Sequence, residues 1–314
     1  MLLFSGLASA EWVGTTEALM GTRISVRLWH PEKETGEAAV RAAIAEIDRI
    51  ERLMSTYKSD SAISAINREA HIAPVAAGRE LFSVIRRAQE MAEITRGRFD
   101  ITYDSVGQHY DFRNNKKPDA VTIEAELANI DYRFVVLNPA EETVFFKQEG
   151  VRINLGGIAK GYAVERAVDV LRKAGIQYAS VSAGGDSRLL GDRRGQPWVI
   201  GIQDPRDERG LAVRLPLQDE AVSTSGDYER YFDEGGTRYH HIIKPSTGRS
   251  ADEVQSVTII GPDAMTTDAL STSVFVMGVD EGLALIEGMD GYDAIIIDAD
   301  RQMHYSKGLL PGDE

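Results

Sequence analysis

The chain contains no cysteine. That excludes a disulfide framework, a thiolate metal site, a thiol nucleophile and a lipid anchor on an N-terminal cysteine. It also has no apolar run of the roughly 18 residues needed to cross a bilayer, so it is not read as membrane-spanning. Positive charge is in short supply: 35 Lys and Arg face 49 Asp and Glu, a formal charge of −14. Such a surface repels phosphate backbones and anionic lipid, which argues against nucleic acid as a partner. A phosphate-bearing ligand would therefore need local compensation, from a divalent metal or from backbone N–H groups. No H-x-x-x-H pair is present, which argues against a zinc site. Neither G-x-x-x-x-G-K-[ST] nor G-x-G-x-x-G occurs at the glycine-rich junctions, so neither a P-loop nor a dinucleotide-binding turn is indicated.

What remains is 314 residues, 43% apolar and 27% charged, an ordinary composition for a globular protein with a sizeable core. At about 150 residues per domain this is one large domain or two modest ones. The opening MLLFSGLASA ends in the small-x-small pattern Ala8-Ser9-Ala10 and has no basic start. Residues 1–10 read as the tail of a signal peptide, and residues 11–314 as the working domain.

Thr22–Trp29 alternates with Ile24, Val26 and Leu28 on one face, the pattern of a strand. Glu37–Met54 and Leu81–Ile94 carry apolar residues at helical spacing. Arg113–Pro118 is polar and basic, as expected of a surface loop. From Phe134 to Leu155 the pattern is strand, turn at Asn138-Pro139, strand, ending at Gly156-Gly157 and followed by a helix from about Gly161 to Lys173. Short strands follow at Ala179–Ser182, Trp198–Ile202, Leu211–Leu217, Arg238–Ile243, Ser256–Ile260 and Ala294–Ile297, interrupted by helices near Ala264–Val276 and Asp280–Gly288. Strands and helices without strict alternation predict an α+β fold: mixed β-sheets with packed helices, in two intimately associated lobes forming one catalytic unit.

Four segments carry chemistry. Asn154 to Tyr162 runs from a strand through two glycines into a helix, a junction whose free N–H groups and helix dipole suit phosphate, with Lys160 in reach. A tight strand-to-helix turn with a solvated lysine would look the same. Val181 to Asp186 again leads a buried strand into a glycine pair, which reads either as a hairpin turn or as one wall of a ligand cleft. The adjacent His240 and His241, read as strand, point to opposite faces, so one can enter a cleft. In Thr266 to Thr272, Asp268 and Thr272 lie one helical turn apart and offer hard oxygen ligands for Mg²⁺; Asp268 as a helix cap is the other reading. Tyr57, in a polar turn, could stack on a planar ring.

Together these segments resemble one family. Met20-Gly21-Thr22, the run from Met54 to Asn67, INLGGIAKGYA from Ile153, STSGDY from Ser223, HIIKPSTG from His241 and TTDALST from Thr266 are similar, in order and spacing, to the ApbE family of FAD:protein FMN transferases, from about Met20 to the C-terminus. The resemblance implies a periplasmic transferase that uses FAD and Mg²⁺. It would move FMN onto a Thr, sometimes Ser, hydroxyl of an acceptor flavoprotein with an FMN-binding domain, such as a respiratory membrane flavoprotein, and release AMP. Carried over by position, Met20, Tyr57, Arg98, Phe99, Asp100, Asn154, Lys160 and Ile243 would contact FAD. The Gly157 carbonyl, Asp268 and Thr272, with Ser271 adjacent, would hold Mg²⁺, and His241 and Asp268 would be catalytic, either one able to draw the proton. Asn154 stands where many relatives carry Asp, and Tyr103–Tyr110 departs from the usual run after Thr102. Two other readings use the same residues: an Mg²⁺-dependent FAD pyrophosphatase yielding FMN and AMP, and a periplasmic FAD-binding protein without catalysis.

Overall fold

The computed structural model describes residues 11–310, so the leader reading of residues 1–10 lies outside the described residues. The alternation in Thr22–Trp29 is that of a strand with one buried face: Ile24, Val26 and Leu28 are all fully buried. It belongs to an eight-stranded sheet of β1 (Glu11–Leu19), β2 (Thr22–His30), β3 (Ala179–Ala183), β4 (Asp186–Leu190), β5 (Ala221–Gly226), β6 (Val254–Gly261), β7 (Asp293–Asp298) and β8 (Met303–Tyr305). The strands lie side by side in the order in which the chain makes them. Each pairs antiparallel with its neighbours. The connections between them carry the rest of the molecule.

One face of the sheet is covered by α1 (Lys33–Met54), α2 (Ala159–Lys173) and α3 (Ala264–Met277), which also pack on one another. The α1 stripe of Val40, Ile44, Ile47, Ile50 and Met54 is buried against them, as its spacing predicts. On the other face lies the hairpin Trp198–Asp204 with Asp207–Leu217, whose Ile202 and Leu215 pack against Val222, Ile260 and Ile295. Covered on both sides, β6 is buried along its whole length and shows no polar alternation.

The long β2–β3 connection forms a second lobe, with helices Ala62–Glu69 and Arg79–Ile94 and a small sheet of Val75–Ala76, Thr143–Phe146 and Val135–Asn138. A single apolar cluster runs through both lobes, from Ile24 and Val257 through Ile47 to Ile85 and Phe146. The architecture is α+β, with helices and antiparallel sheets.

Two predicted strands differ. Val151–Leu155 is extended but joins no ladder. At its centre the Asn67 side chain accepts from the Ile153 N–H and donates to the Ile153 carbonyl, both at 2.9 Å, while the Arg152 N–H goes to the Ser105 hydroxyl and the Asn154 N–H to the Ile101 carbonyl. Side chains and a loop carbonyl together replace a neighbouring strand. Arg238–Ile243 is broken at His241, between strands Thr237–His240 and Ile243–Lys244, where the His241 N–H turns aside to the Arg230 carbonyl.

Candidate active site

The pocket begins with a glycine. A Cβ on Gly161 would stand 2.1 Å from the Ala264 carbonyl oxygen, so only glycine lets α2 and α3 approach this closely. The approach brings the Gly161 N–H to Asp268 Oδ2 at 2.8 Å. Asp268 thus does cap a helix, but α2 rather than its own; α3 is capped by Asp263, which accepts from the Thr266 N–H at 2.7 Å. Lys160, in the first turn of α2, bonds Asp186 and lies 3.6 Å from Asp268 Oδ1. Asp186 arrives on β4, directly after the two-residue turn Gly184-Gly185. The segment is therefore a hairpin turn, and it places an acid beside Lys160.

One ammonium thus faces two buried carboxylates. Burial and the neighbouring Asp186 push the Asp268 carboxyl above the usual carboxylate range, against the pull of Lys160 and the Gly161 N–H. Burial disfavours the Lys160 ammonium, but Asp186 and Asp268 outweigh it and keep the group charged.

One turn beyond Asp268, the Ser225 hydroxyl lies 2.8 Å from that of Ser271 and 3.3 Å from that of Thr272. Ser271 also donates to the Asp268 carbonyl at 2.9 Å, so its hydroxyl is committed within the protein. Gly157 faces Thr272: a Cβ there would lie 3.2 Å from both the Thr272 hydroxyl and the Phe99 ring. No three His, Cys, Asp or Glu side chains form a metal cluster among the described residues. A carboxylate, a hydroxyl and a backbone carbonyl are nevertheless hard oxygen donors, which fit Mg²⁺ completed by water and substrate phosphate.

The predicted backbone cradle is largely occupied. The Gly156 N–H donates to Asn154 Oδ1 at 2.9 Å. The N–H groups of Ile158 and Ala159 both go to the Leu155 carbonyl. With Gly161 bonded to Asp268, little of the α2 N-terminus is left to meet a phosphate.

His241 lies at the break beside this pocket. Burial, then the nearby cations Arg230 and Lys160 together with His240, holds its pKa down to about 3. It is neutral at physiological pH, and its buried Nδ1 has no hydrogen-bond partner among the described residues. His240 points elsewhere, its Nε2 lying 2.6 Å from the Ala251 carbonyl. Asn154 Nδ2 donates to Asp104 at 3.1 Å and to Thr56 at 3.3 Å, beside the 85% exposed Tyr57 ring. Met20 occupies the β1–β2 turn in a left-handed conformation, φ 52°. Ile243 is buried in its short strand.

Phe99 lies under Gly157, but its neighbours do not converge on this pocket. Arg98 pairs with Glu281 at 2.9 Å near the surface. Asp100 accepts from Thr102, through both its N–H and its hydroxyl, and from the Tyr132 N–H. Both line a separate cleft of about 380 Å³ whose walls include neither Asp268 nor Lys160. Sequence reasoning missed Asp104, Ser225 and Arg230 as neighbours of the site. Ser225 and Arg230 lie in or just beyond the STSGDY run, and Asp104 lies in the run that departs from the family pattern.

The sequence pattern of the ApbE family matches residues 20–296. The chain is 32% identical to the FAD:protein FMN transferase of Treponema pallidum (strain Nichols), over 97% of this chain and 90% of that protein. Identity to the protein of the same name from Klebsiella pneumoniae (strain 342) is also 32%, over 91% of this chain and 89% of that one. Of solved structures, the ApbE protein from Thermotoga maritima superposes with a TM-score of 0.88 at 35% identity, covering 95% of this chain and 98% of that one. The flavin transferase ApbE from Vibrio cholerae superposes with a TM-score of 0.85 at 28% identity, again covering 95% and 98%.

Proposed function

The chain belongs to the ApbE family, and from that premise we propose that it transfers FMN from FAD to a Thr or Ser hydroxyl of an acceptor flavoprotein, releasing AMP. The observation that carries this reading is the meeting of Lys160, Asp268, Thr272 and Gly157 where α2 and α3 touch at Gly161. This is an acid and hydroxyl set suited to a metal-bound diphosphate, beside a neutral histidine with a free ring nitrogen.

The acceptor hydroxyl oxygen bonds to the FMN-side phosphorus, the bond from that phosphorus to the AMP phosphate breaks, and AMP leaves with the electron pair. Mg²⁺ held by Asp268, Thr272 and the Gly157 carbonyl would neutralise charge on the diphosphate. Lys160 keeps both carboxylates in place through its charge. His241 takes the hydroxyl proton; a base kept uncharged by its surroundings is in the right state to receive one. The exposed Tyr57 ring is placed to stack on a planar part of FAD. The acceptor in this reading carries an FMN-binding domain and belongs to membrane-linked respiratory electron transfer in the periplasm.

Incubation with FAD, Mg²⁺ and an FMN-binding acceptor domain tests the proposal. The acceptor should gain the mass of an esterified FMN and stay fluorescent in a denaturing gel. Free FMN and AMP with an unmodified acceptor would establish a pyrophosphatase instead. FAD binding without AMP at any Mg²⁺ concentration would establish a carrier.

A further inference from the structure

The pocket lacks the positive charge its ligand needs. Lys160 is matched against two carboxylates, Asp186 and Asp268. The N–H groups of Gly156, Ile158, Ala159 and Gly161, at the start of α2, are engaged within the protein. FAD brings a doubly charged diphosphate into a chain whose formal charge is −14. A metal answers part of this, and a further cation is called for.

Arg230 is placed to be that cation. It follows β5, and its carbonyl accepts the His241 N–H at 3.2 Å. Its Nη2 donates to the Gly21 carbonyl at 3.2 Å, so it bridges the histidine break and the Met20-Gly21 turn. The side chain is exposed and forms no ion pair among the described residues, although most arginines around it do. Its charge reaches groups on three segments. After burial it is the strongest influence lowering His241, and it also acts on Lys160 and Tyr103. Gly21 leaves it room, since a Cβ there would lie 3.1 Å from Nη2.

Resting on the transferase reading, we infer that Arg230 binds the diphosphate of FAD at the mouth of this pocket. A guanidinium fork suits phosphate oxygens, because two parallel N–H groups meet two oxygens at once. One donor tethers the group to the Met20-Gly21 turn. The remaining donors are available to the ligand.

The test compares Arg230→Ala, Arg230→Gln and Arg230→Lys in the full chain, with FAD affinity read from flavin fluorescence. The glutamine keeps a donor for Gly21 without charge, and the lysine keeps the charge. We expect FAD affinity to fall about tenfold or more in the alanine and glutamine variants, as for loss of a charged hydrogen bond, and to recover in part in the lysine variant. Guanidinium added to the alanine variant should restore binding. Parent-like affinity in the glutamine variant would reduce Arg230 to a tether, and parent-like affinity in the alanine variant would remove it from the site. Acceptor modification by the parent is measured alongside. If the parent binds FAD with this charge dependence yet modifies no acceptor, the transferase reading fails and the inference on Arg230 stands.

Discussion

In the cleft beside Arg98, two arginines have their own partners near the surface: Arg98 with Glu281 at 2.9 Å and Arg133 with Asp131 at 2.6 Å. Where α2 meets α3, one ammonium serves two carboxylates. A histidine there is kept neutral with its Nδ1 unpartnered. Exposed pairs are screened by water and contribute about 0–1 kcal/mol, so these two pairs are electrostatically quiet. Buried charge without full local compensation is costly to hold and strongly felt by whatever binds. The difference separates charges matched one to one near the surface from buried charges that are not.

The comparison predicts its largest effect at Asp268. Asp268→Ala removes the carboxylate that caps α2 and faces Lys160. In the proposed reaction this carboxylate would hold the metal, and its loss would remove several kcal/mol of charge stabilisation, so transfer should fall by roughly 10³-fold. Acceptor modification followed by mass measures this, and a variant with more than a tenth of parent activity would break the contrast between the two clefts.

His241→Ala comes next. Turnover should fall by roughly 10²-fold or more with FAD binding retained, as for removal of a general base. Its pH behaviour sharpens the point. The folded pKa is about 3, whereas the unfolded chain has an ordinary value of about 6.5. Between these values the unfolded state takes up a proton that the folded state refuses. The contribution of His241 to stability is therefore present above about pH 6.5 and is lost as pH falls toward 3. Denaturant unfolding at pH 7, 5 and 4 should show this loss in the parent and less of it in His241→Ala. An identical slope in both would place the acid sensitivity elsewhere.

Gly161→Ala asks whether helix approach builds the pocket. The new Cβ would lie 2.1 Å from the Ala264 carbonyl oxygen and 2.7 Å from Asp268 Cβ. Overpacking of this kind costs about 1–3 kcal/mol, which a shift in denaturation midpoint would read. Activity should fall with it, because the Gly161 N–H no longer reaches Asp268. A stable variant with full turnover would show that the pocket does not depend on this contact.

How much of this was legible in the sequence follows from how local each signal is. The stripes of α1 and of Arg79–Ile94 are local, and both helices are where their spacing places them. Asp268 and Thr272 are four residues apart on one helix, so their shared face could be read directly. Val151–Leu155 misled because extended backbone needs partners, and those partners are not a strand but scattered groups, among them an asparagine 86 residues away. The charge state of His241 was equally hidden: isolated imidazole suggests a group titrating near neutrality, and it is burial first, then the nearby Arg230, His240 and Lys160, that lowers it. Asp104 bonds Asn154 and Arg152, so the unusual run after Thr102 supplies a buried acid beside the amide at position 154.

The smallest effect is expected at an exposed pair beside the Arg98 cleft. Arg98→Ala removes one exposed pair, with side chains 37% and 60% accessible, and should shift stability by no more than about 1 kcal/mol. Turnover and FAD affinity should stay within about twofold of the parent, since a screened pair changes little when one partner goes. The result bears directly on the resemblance, which placed Arg98 among the FAD contacts, whereas the structure turns its side chain toward Glu281. A tenfold loss of FAD affinity in Arg98→Ala, with stability unchanged, would mean that the ligand draws the arginine away from that carboxylate. The two clefts would then be parts of one binding surface.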